Sequence, residues 1–102
     1  MVLKFEGLTA GPARTLLCPS CACNYIHHDK IEVFEREPDA ETGLHVTVGN
    51  GNASIDNALN ANPSSRRHGV NIHFWCEDCD AKPVLSIIQH KGHTRVDFKS
   101  KK

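Results

Sequence analysis

The sequence predicts a mostly β fold, an antiparallel sheet with one long inserted loop, and three observations favour this class. Apolar and polar residues alternate in several short stretches, as they do in strands that bury one face. No convincing long helix is indicated by the spacing of apolar residues. Two C-x-x-C pairs, Cys18–Cys21 and Cys76–Cys79, lie far apart in the chain. A sheet that brings these two pairs together would form one metal site.

Length and charge restrict the class of protein further. The 102 residues predict a single domain over 1–102, and 12 basic side chains balance 12 acidic ones. Nucleic-acid binders are usually basic, because phosphate contacts supply most of the nonspecific affinity. The neutral balance weakens that class but permits a local basic patch. Without an apolar run of roughly 18 residues or a secretory signal, we expect a cytoplasmic protein that does not enter a membrane.

The alternating stretches predict the strands in chain order. A loose alternation over 2–8 indicates a short edge strand. Residues 25–36 indicate one strand, or two strands joined by a turn. A further strand is predicted over 44–48, and a strict alternation over 70–75 leads directly into the second cysteine pair.

The carboxy-terminal stretch predicts a β-hairpin in which 84–90 pairs with 93–99. This register places Ile87 opposite Val96, so that one face of the hairpin is wholly apolar. A frayed tail is expected over 100–102.

Residues 49–69 differ in composition from the rest of the chain, since they are rich in Asn, Gly and Ser. A loop of this length in a compact domain is usually functional or disordered, so we interpret it as a flexible insertion. One helical turn is compatible with it, because Ser54 can cap a helix on which Ile55, Ala58 and Leu59 share a face.

The cysteine spacing is the most specific signal in the sequence. Each C-x-x-C pair can turn tightly and direct two thiolates to one point, and four thiolates match the tetrahedral preference of Zn²⁺. The C-P-x-C form of the first pair resembles a knuckle of the zinc-ribbon superfamily, and the second pair resembles its partner. One departure is the length of chain between the two pairs. Residues 22–75 lie between them here, whereas compact zinc sites have roughly 15–20 residues at this place. The expected zinc ligands are Cys18, Cys21, Cys76 and Cys79.

Disulfides, redox chemistry and unliganded cysteines are the alternatives to zinc. The odd cysteine count of five suits a reducing compartment better than a disulfide framework. A thioredoxin-like redox pair requires a βαβ context, which the pattern does not indicate. We expect Cys23 to be a small buried residue. Whether Cys23, His27 or His28 replaces one cysteine ligand stays open.

Two basic tips are the expected contact surface. Arg66 and Arg67 close the insertion, while Lys91 and Arg95 belong to the last hairpin. Guanidinium groups offer fork-shaped donors suited to phosphates or carboxylates, although solvated loop arginines are the simpler interpretation. In the zinc-ribbon family such surfaces commonly contact nucleic acid or larger protein complexes. The resemblance therefore implies a binding module with a partner of that kind, and the sequence leaves its oligomeric state open.

Two other functions are alternatives. The chain is similar in general character to small zinc-containing proteins of phages and prophages, which implies an accessory or inhibitor protein that masks a partner's surface in the host cytoplasm. Small nucleases of the HNH type also carry two C-x-x-C pairs with histidines and asparagines between them. However, four thiolates leave no open position on the zinc for a water molecule, so we expect no enzymatic activity and no catalytic residues.

Overall fold

The computed structural model describes residues 3–6 and 13–100. Within these ranges six antiparallel strands form one open sheet in the order β3-β2-β1-β4-β5-β6, with no helix, which confirms the mostly β class. It follows that no helix in the described chain is long and apolar enough to cross a membrane. The strands are β1 (Ile26–Glu35), β2 (Leu44–Gly49), β3 (Asn52–Asp56), β4 (Gly69–Cys76), β5 (Val84–His90) and β6 (His93–Lys99).

The carboxy-terminal hairpin has the predicted register. Ile87 lies opposite Val96, and the two-residue turn consists of Lys91 and Gly92. Both turn residues have positive φ, 49° and 81°, as a two-residue turn requires when its twist matches that of the strands. The prediction was correct because the two-residue turn and the alternation of apolar and polar residues specify the same register.

The stretch over 25–36 forms one continuous strand rather than two. β1 lies in the centre of the sheet and pairs with both β2 and β4. Its pairing with β4 shifts between His28 and Lys30, where a bulge leaves one extra residue on β1. The bulge accounts for the turn-like character of this part of the sequence without a break in the strand.

The insertion begins with a strand, so the helical turn considered for Ser54 and Ile55 is wrong. Asn50 and Gly51 adopt positive φ of 53° and 75° and form a hairpin turn between β2 and β3. In β3, Ile55 lies opposite Val46. The Asn-Gly dipeptide was the local signal for this hairpin. The apolar contact between Ile55 and Val46 across the strands stabilises the hairpin more than the helical spacing of Ile55, Ala58 and Leu59 would stabilise a helical turn.

The second half of the insertion, residues 57–68, is here called the covering loop. The side-chain amide of Asn71 donates to the carbonyl of Ala61 at 2.9 Å, and Ser64 Oγ donates to the carbonyl of Gln89 at 2.9 Å. Gly69 is needed below the loop, because a Cβ there would lie only 2.2 Å from Asn62 Oδ1. The loop therefore lies directly against the sheet.

The two faces of the sheet differ sharply in chemistry. On the polar face one row crosses all six strands with hydrogen-bonding side chains, namely Ser54, Thr47, Glu32, Asn71, Ser86 and Asp97. On the apolar face the neighbouring row also crosses all six strands, with Ile55, Val46, Val33, Val70, Ile87 and Val96. The covering loop lies on the polar face, where Glu32, Asn71 and Ser86 are buried.

The predicted edge strand over 2–8 corresponds to a single antiparallel bridge between Phe5 and Leu16 in the described chain. Residues 2, 7 and 8 of that prediction lie outside the described residues. So do 101–102 of the expected frayed tail.

Candidate metal centre

The pairing of β1 with β4 brings the two C-x-x-C pairs together. The first pair occupies a tight turn before β1, closed by a hydrogen bond from Ala22 N–H to the carbonyl of Cys18 at 2.9 Å. The second pair begins at the last residue of β4, where Cys76 lies opposite Ile26. Ala22 has a positive φ of 63°, which turns the chain sharply after the first pair. Residues 22–75 thus form most of the sheet between two halves of one site.

Four of the cysteines, here called the cysteine cluster, have sulfur atoms that all lie within 4.8 Å of one another: Cys18, Cys21, Cys76 and Cys79. The Sγ atoms of Cys18 and Cys79 are 3.9 Å apart, and those of Cys21 and Cys76 are 3.6 Å apart. A tetrahedral Zn²⁺ with bonds of about 2.3 Å holds its sulfur ligands about 3.8 Å apart. The cluster therefore has the spacing of a four-thiolate metal site. All five thiols are free, so the structure contains none of the disulfides weighed as an alternative.

The surroundings of the cluster favour the thiolate, the form that binds metal, at Cys76. At Cys21 a backbone hydrogen bond favours it too, but burial and the neighbouring thiols outweigh this bond and raise the pKa of Cys21 to about 12. Burial opposes ionisation of Cys76, but backbone hydrogen bonds involving Asp78 and Cys79 outweigh it, and the pKa of this thiol is lowered to about 7. The Ser20 N–H also points at Cys18 Sγ, 3.4 Å away. Backbone donors fixed by the turns therefore stabilise one thiolate, at Cys76, before any ion arrives, and the convergence of the four thiols opposes further ionisation until a cation binds.

Cys23 lies beside the cluster but outside it. Its sulfur accepts a hydrogen bond from the N–H of Tyr25 at 3.1 Å, and the residue is only 7% exposed, which confirms the expectation of a small buried residue. Together with Cys18, Cys76 and Ile26 it forms the compact apolar packing beneath the site. Neither His27 nor any other histidine belongs to the group of potential ligands among the described residues.

Trp75 directly precedes the second cysteine pair at the end of β4. Its ring stacks on that of His27, with centroids 4.5 Å apart, and His27 Nε2 in turn contacts the carboxylate of Glu77. The tryptophan stays 40% exposed. The stack depends on the cross-strand pair of His27 with Trp75, a register that alternation within one strand does not reveal.

The structure also brings the two predicted basic tips together, at the end of the sheet opposite to the cysteine cluster. The N–H of Gln89 donates to the carbonyl of His68 at 3.2 Å, which ties the end of the covering loop to the end of β5. A surface cleft of about 390 Å³ there is lined by Ser65, His90 and Arg95, among others. This basic end carries Arg66, Arg67, Lys91 and Arg95. The eight residues of β4 separate it from Cys76 by roughly 25 Å.

A second cluster of ionisable groups, which the sequence did not reveal, lies on the polar face. In this Glu32 cluster, the Nε2 atoms of His73 and His45 lie 2.6 and 2.9 Å from the two carboxylate oxygens of Glu32. The other ring nitrogen of His45 lies 2.8 Å from Asp56 Oδ1. Burial raises the pKa of Glu32, but the hydrogen bonds from both histidines outweigh it and leave this pKa lowered. These residues come from four strands, so only the complete register places them together.

Comparison of the chain with protein-family models, with curated proteins and with solved structures gives no match. The site is therefore interpreted from its own geometry. Four sulfur atoms at tetrahedral spacing can bind one metal ion, and no other His, Cys, Asp or Glu group in 3–6 and 13–100 is placed to do so.

Proposed function

We propose that the chain is a structural zinc-binding module that acts by binding a nucleic acid or a larger protein complex. The tetrahedral spacing of the four sulfur atoms is the single observation that carries the metal part of this proposal. Thiolates are soft ligands that suit Zn²⁺ and not Mg²⁺ or Ca²⁺. Four of them close the coordination sphere, which is the arrangement of structural zinc sites rather than catalytic ones.

Metal content measured together with thiol counting on natively purified chain tests the zinc part. We expect one zinc per chain, four protected cysteines and one reactive thiol after gentle denaturation. The assignment would be contradicted if the natively purified chain contained no metal. It would also be contradicted if the chain from cells contained a stoichiometric amount of a metal other than zinc.

The basic end supports the binding part of the proposal. Arg66 is 70% exposed on its side chain, and its one described ion pair, with Asp39 at 3.5 Å, lies at the surface where such pairs contribute little. The covering loop holds this arginine next to the hairpin that carries Lys91 and Arg95. Four cations on one end offer a local positive patch in a chain whose total charge is zero.

Salt dependence distinguishes the two kinds of partner. If the basic end contacts phosphates, affinity for an oligonucleotide falls with the logarithm of salt concentration with a slope of about −0.9 per phosphate for duplex DNA. We expect the Arg66→Ala, Arg95→Ala double variant to weaken binding and reduce this slope. Lys82→Ala, an exposed lysine near the cysteine cluster, is the matched control and keeps both. Absence of oligonucleotide binding would favour a protein partner, as the accessory-protein alternative requires.

A further inference from the structure

Part of the apolar face is exposed in a single copy of the chain, although Phe98 on β6 is buried. Val33, Val48, Ile55 and Val96 remain 43%, 51%, 70% and 45% exposed, although their neighbours on this face are also apolar. Scattered exposed apolar residues are ordinary, but a contiguous patch across a whole sheet marks an interaction surface.

Burial does not follow the usual division of an isolated antiparallel sheet, because the loop-covered face buries Phe34 together with polar side chains while part of the opposite, apolar face stays exposed. Such a sheet normally packs its apolar face and leaves its polar face in water. Here the covering loop lies on the polar face and buries Glu32, Asn71 and Ser86. The loop thus leaves exposed aliphatic side chains on the apolar face, which gain from removal of water.

The chemistry of the apolar face restricts what can cover it. The two rows at its centre contain only aliphatic side chains and Phe98, with no charge and no hydrogen-bonding group. Polar side chains appear only at the rim, where Glu35 lies opposite Leu44 and Gln89 lies opposite Thr94. An apolar centre with a polar rim is the composition of a protein interface, and it offers nothing to phosphates.

The size of the face is sufficient for a specific dimer. Six strands about 4.8 Å apart, with four or five residues at about 3.4 Å spacing, give roughly 400 Å² in projection. The relief of the side chains adds to this, so two copies together bury on the order of 1,000 Å² or more, the lower limit for a biological interface. Exposure is highest on β2 and β3, at Val48 and Ile55, whereas Phe98 is already buried and packs against Phe74 at a ring distance of 5.5 Å.

We propose that two copies of this chain pack through their apolar faces to form a two-sheet sandwich. A second copy fits because the uncharged rows extend across all six strands and meet an identical surface under two-fold symmetry. Twisted sheets pack in this way about 10 Å apart, with their strands within about 30° of each other. The cysteine cluster and the basic end lie at the two ends of the sheet and stay accessible, so the dimer would carry two copies of each.

Sedimentation velocity of the zinc-loaded full chain over a concentration series tests this proposal. We expect a concentration-dependent shift to twice the 11.3 kDa mass of one chain. Ile55→Lys and Val48→Lys each place a charge in the most exposed part of the apolar face and should raise the dimer dissociation constant at least tenfold. The matched control is Ser54→Lys, because Ser54 is next to Ile55 on β3 and is also exposed but points to the opposite face.

Small-angle scattering of the unmodified dimer gives a second readout that does not depend on the folding of a variant. A sandwich is compact and thick, whereas two sheets joined edge to edge through β3 form a longer, flat particle. A monomer at all concentrations up to several hundred micromolar overturns the proposal, and so does a dimer that Ser54→Lys disrupts as strongly as Ile55→Lys. A monomer whose apolar face is instead covered by a different protein also contradicts it.

Discussion

The cysteine cluster and the Glu32 cluster both depend on the pairing of β1 with β4, yet they satisfy their buried groups in opposite ways. In the cysteine cluster four like groups converge, so that ionisation of more than one thiol is unfavourable until a cation binds. In the Glu32 cluster a buried carboxylate meets two imidazoles, and both oxygens are satisfied within the protein. The cysteine cluster at one end of the sheet therefore needs a bound ion to stabilise its charges. The Glu32 cluster in the middle of the sheet is stabilised by the protein's own side chains.

The largest effect is expected from removal of the metal. A structural zinc site contributes on the order of 10–16 kcal/mol of apparent binding free energy at neutral pH, which is comparable with the roughly 5–15 kcal/mol stability of a small domain. We expect the zinc-free chain to lose most of its cooperative thermal transition, measured by far-UV circular dichroism with a strong chelator. Unchanged spectra and melting in the metal-free chain would show that the sheet is stable without the ion.

Cysteine variants test the same point residue by residue. Cys76→Ser removes a ligand and should abolish tight zinc binding and most of the stability. Cys23→Ala is the control, because its sulfur lies outside the cluster and its loss should cost only about 1 kcal/mol and leave zinc content unchanged. Loss of zinc from Cys23→Ala would mean that Cys23 is a ligand.

The next largest effect is expected at the Glu32 cluster. Glu32→Gln keeps the shape of the side chain but replaces a charged acceptor of two histidine hydrogen bonds with a neutral amide. We expect a loss of about 2–3 kcal/mol, since hydrogen bonds to buried charged groups contribute about that much. Urea unfolding of the zinc-loaded protein measures it, with Glu35→Gln, exposed on the same strand, as the control. Equal stability of the two variants would contradict the importance of this network.

The same contrast explains how far the sequence could predict the structure. The cysteine cluster could be predicted because each pair is a four-residue motif whose spacing indicates a metal site. Ile87 and Val96 were placed correctly because a two-residue turn fixes their register. The Glu32 cluster has no such local signature, since His45, His73 and Asp56 approach only after three separate strand pairings are known. The covering loop was equally hidden, because its contacts depend on the sheet below it.

A smaller effect is expected where the covering loop meets the sheet. Gly69→Ala places a Cβ 2.2 Å from Asn62 Oδ1 and 2.7 Å from Pro63 Cδ, so the loop must shift away from the polar face. Overpacking of this kind costs typically about 1–3 kcal/mol. In Gly51→Ala, by contrast, the new Cβ meets nothing within 4 Å and only the positive φ of 75° opposes it, at about 1 kcal/mol. Amide hydrogen exchange in the part of the covering loop that contacts Asn71 should become faster in Gly69→Ala and stay unchanged in Gly51→Ala.

The smallest effect is a pH dependence that belongs to Glu32 and not to the thiols. Because the folded protein lowers the pKa of Glu32, the unfolded chain binds its proton more tightly, and this carboxylate contributes stability above its unfolded pKa of about 4.3. That contribution disappears as the pH falls through the lower, folded value. Acid also releases zinc from the cysteine cluster, but it does so equally in the protein and in Glu32→Gln. The difference in unfolding free energy between the two should therefore shrink as the pH falls below about 4.3; a difference that persists to lower pH would show that Glu32 acts through packing rather than through its charge.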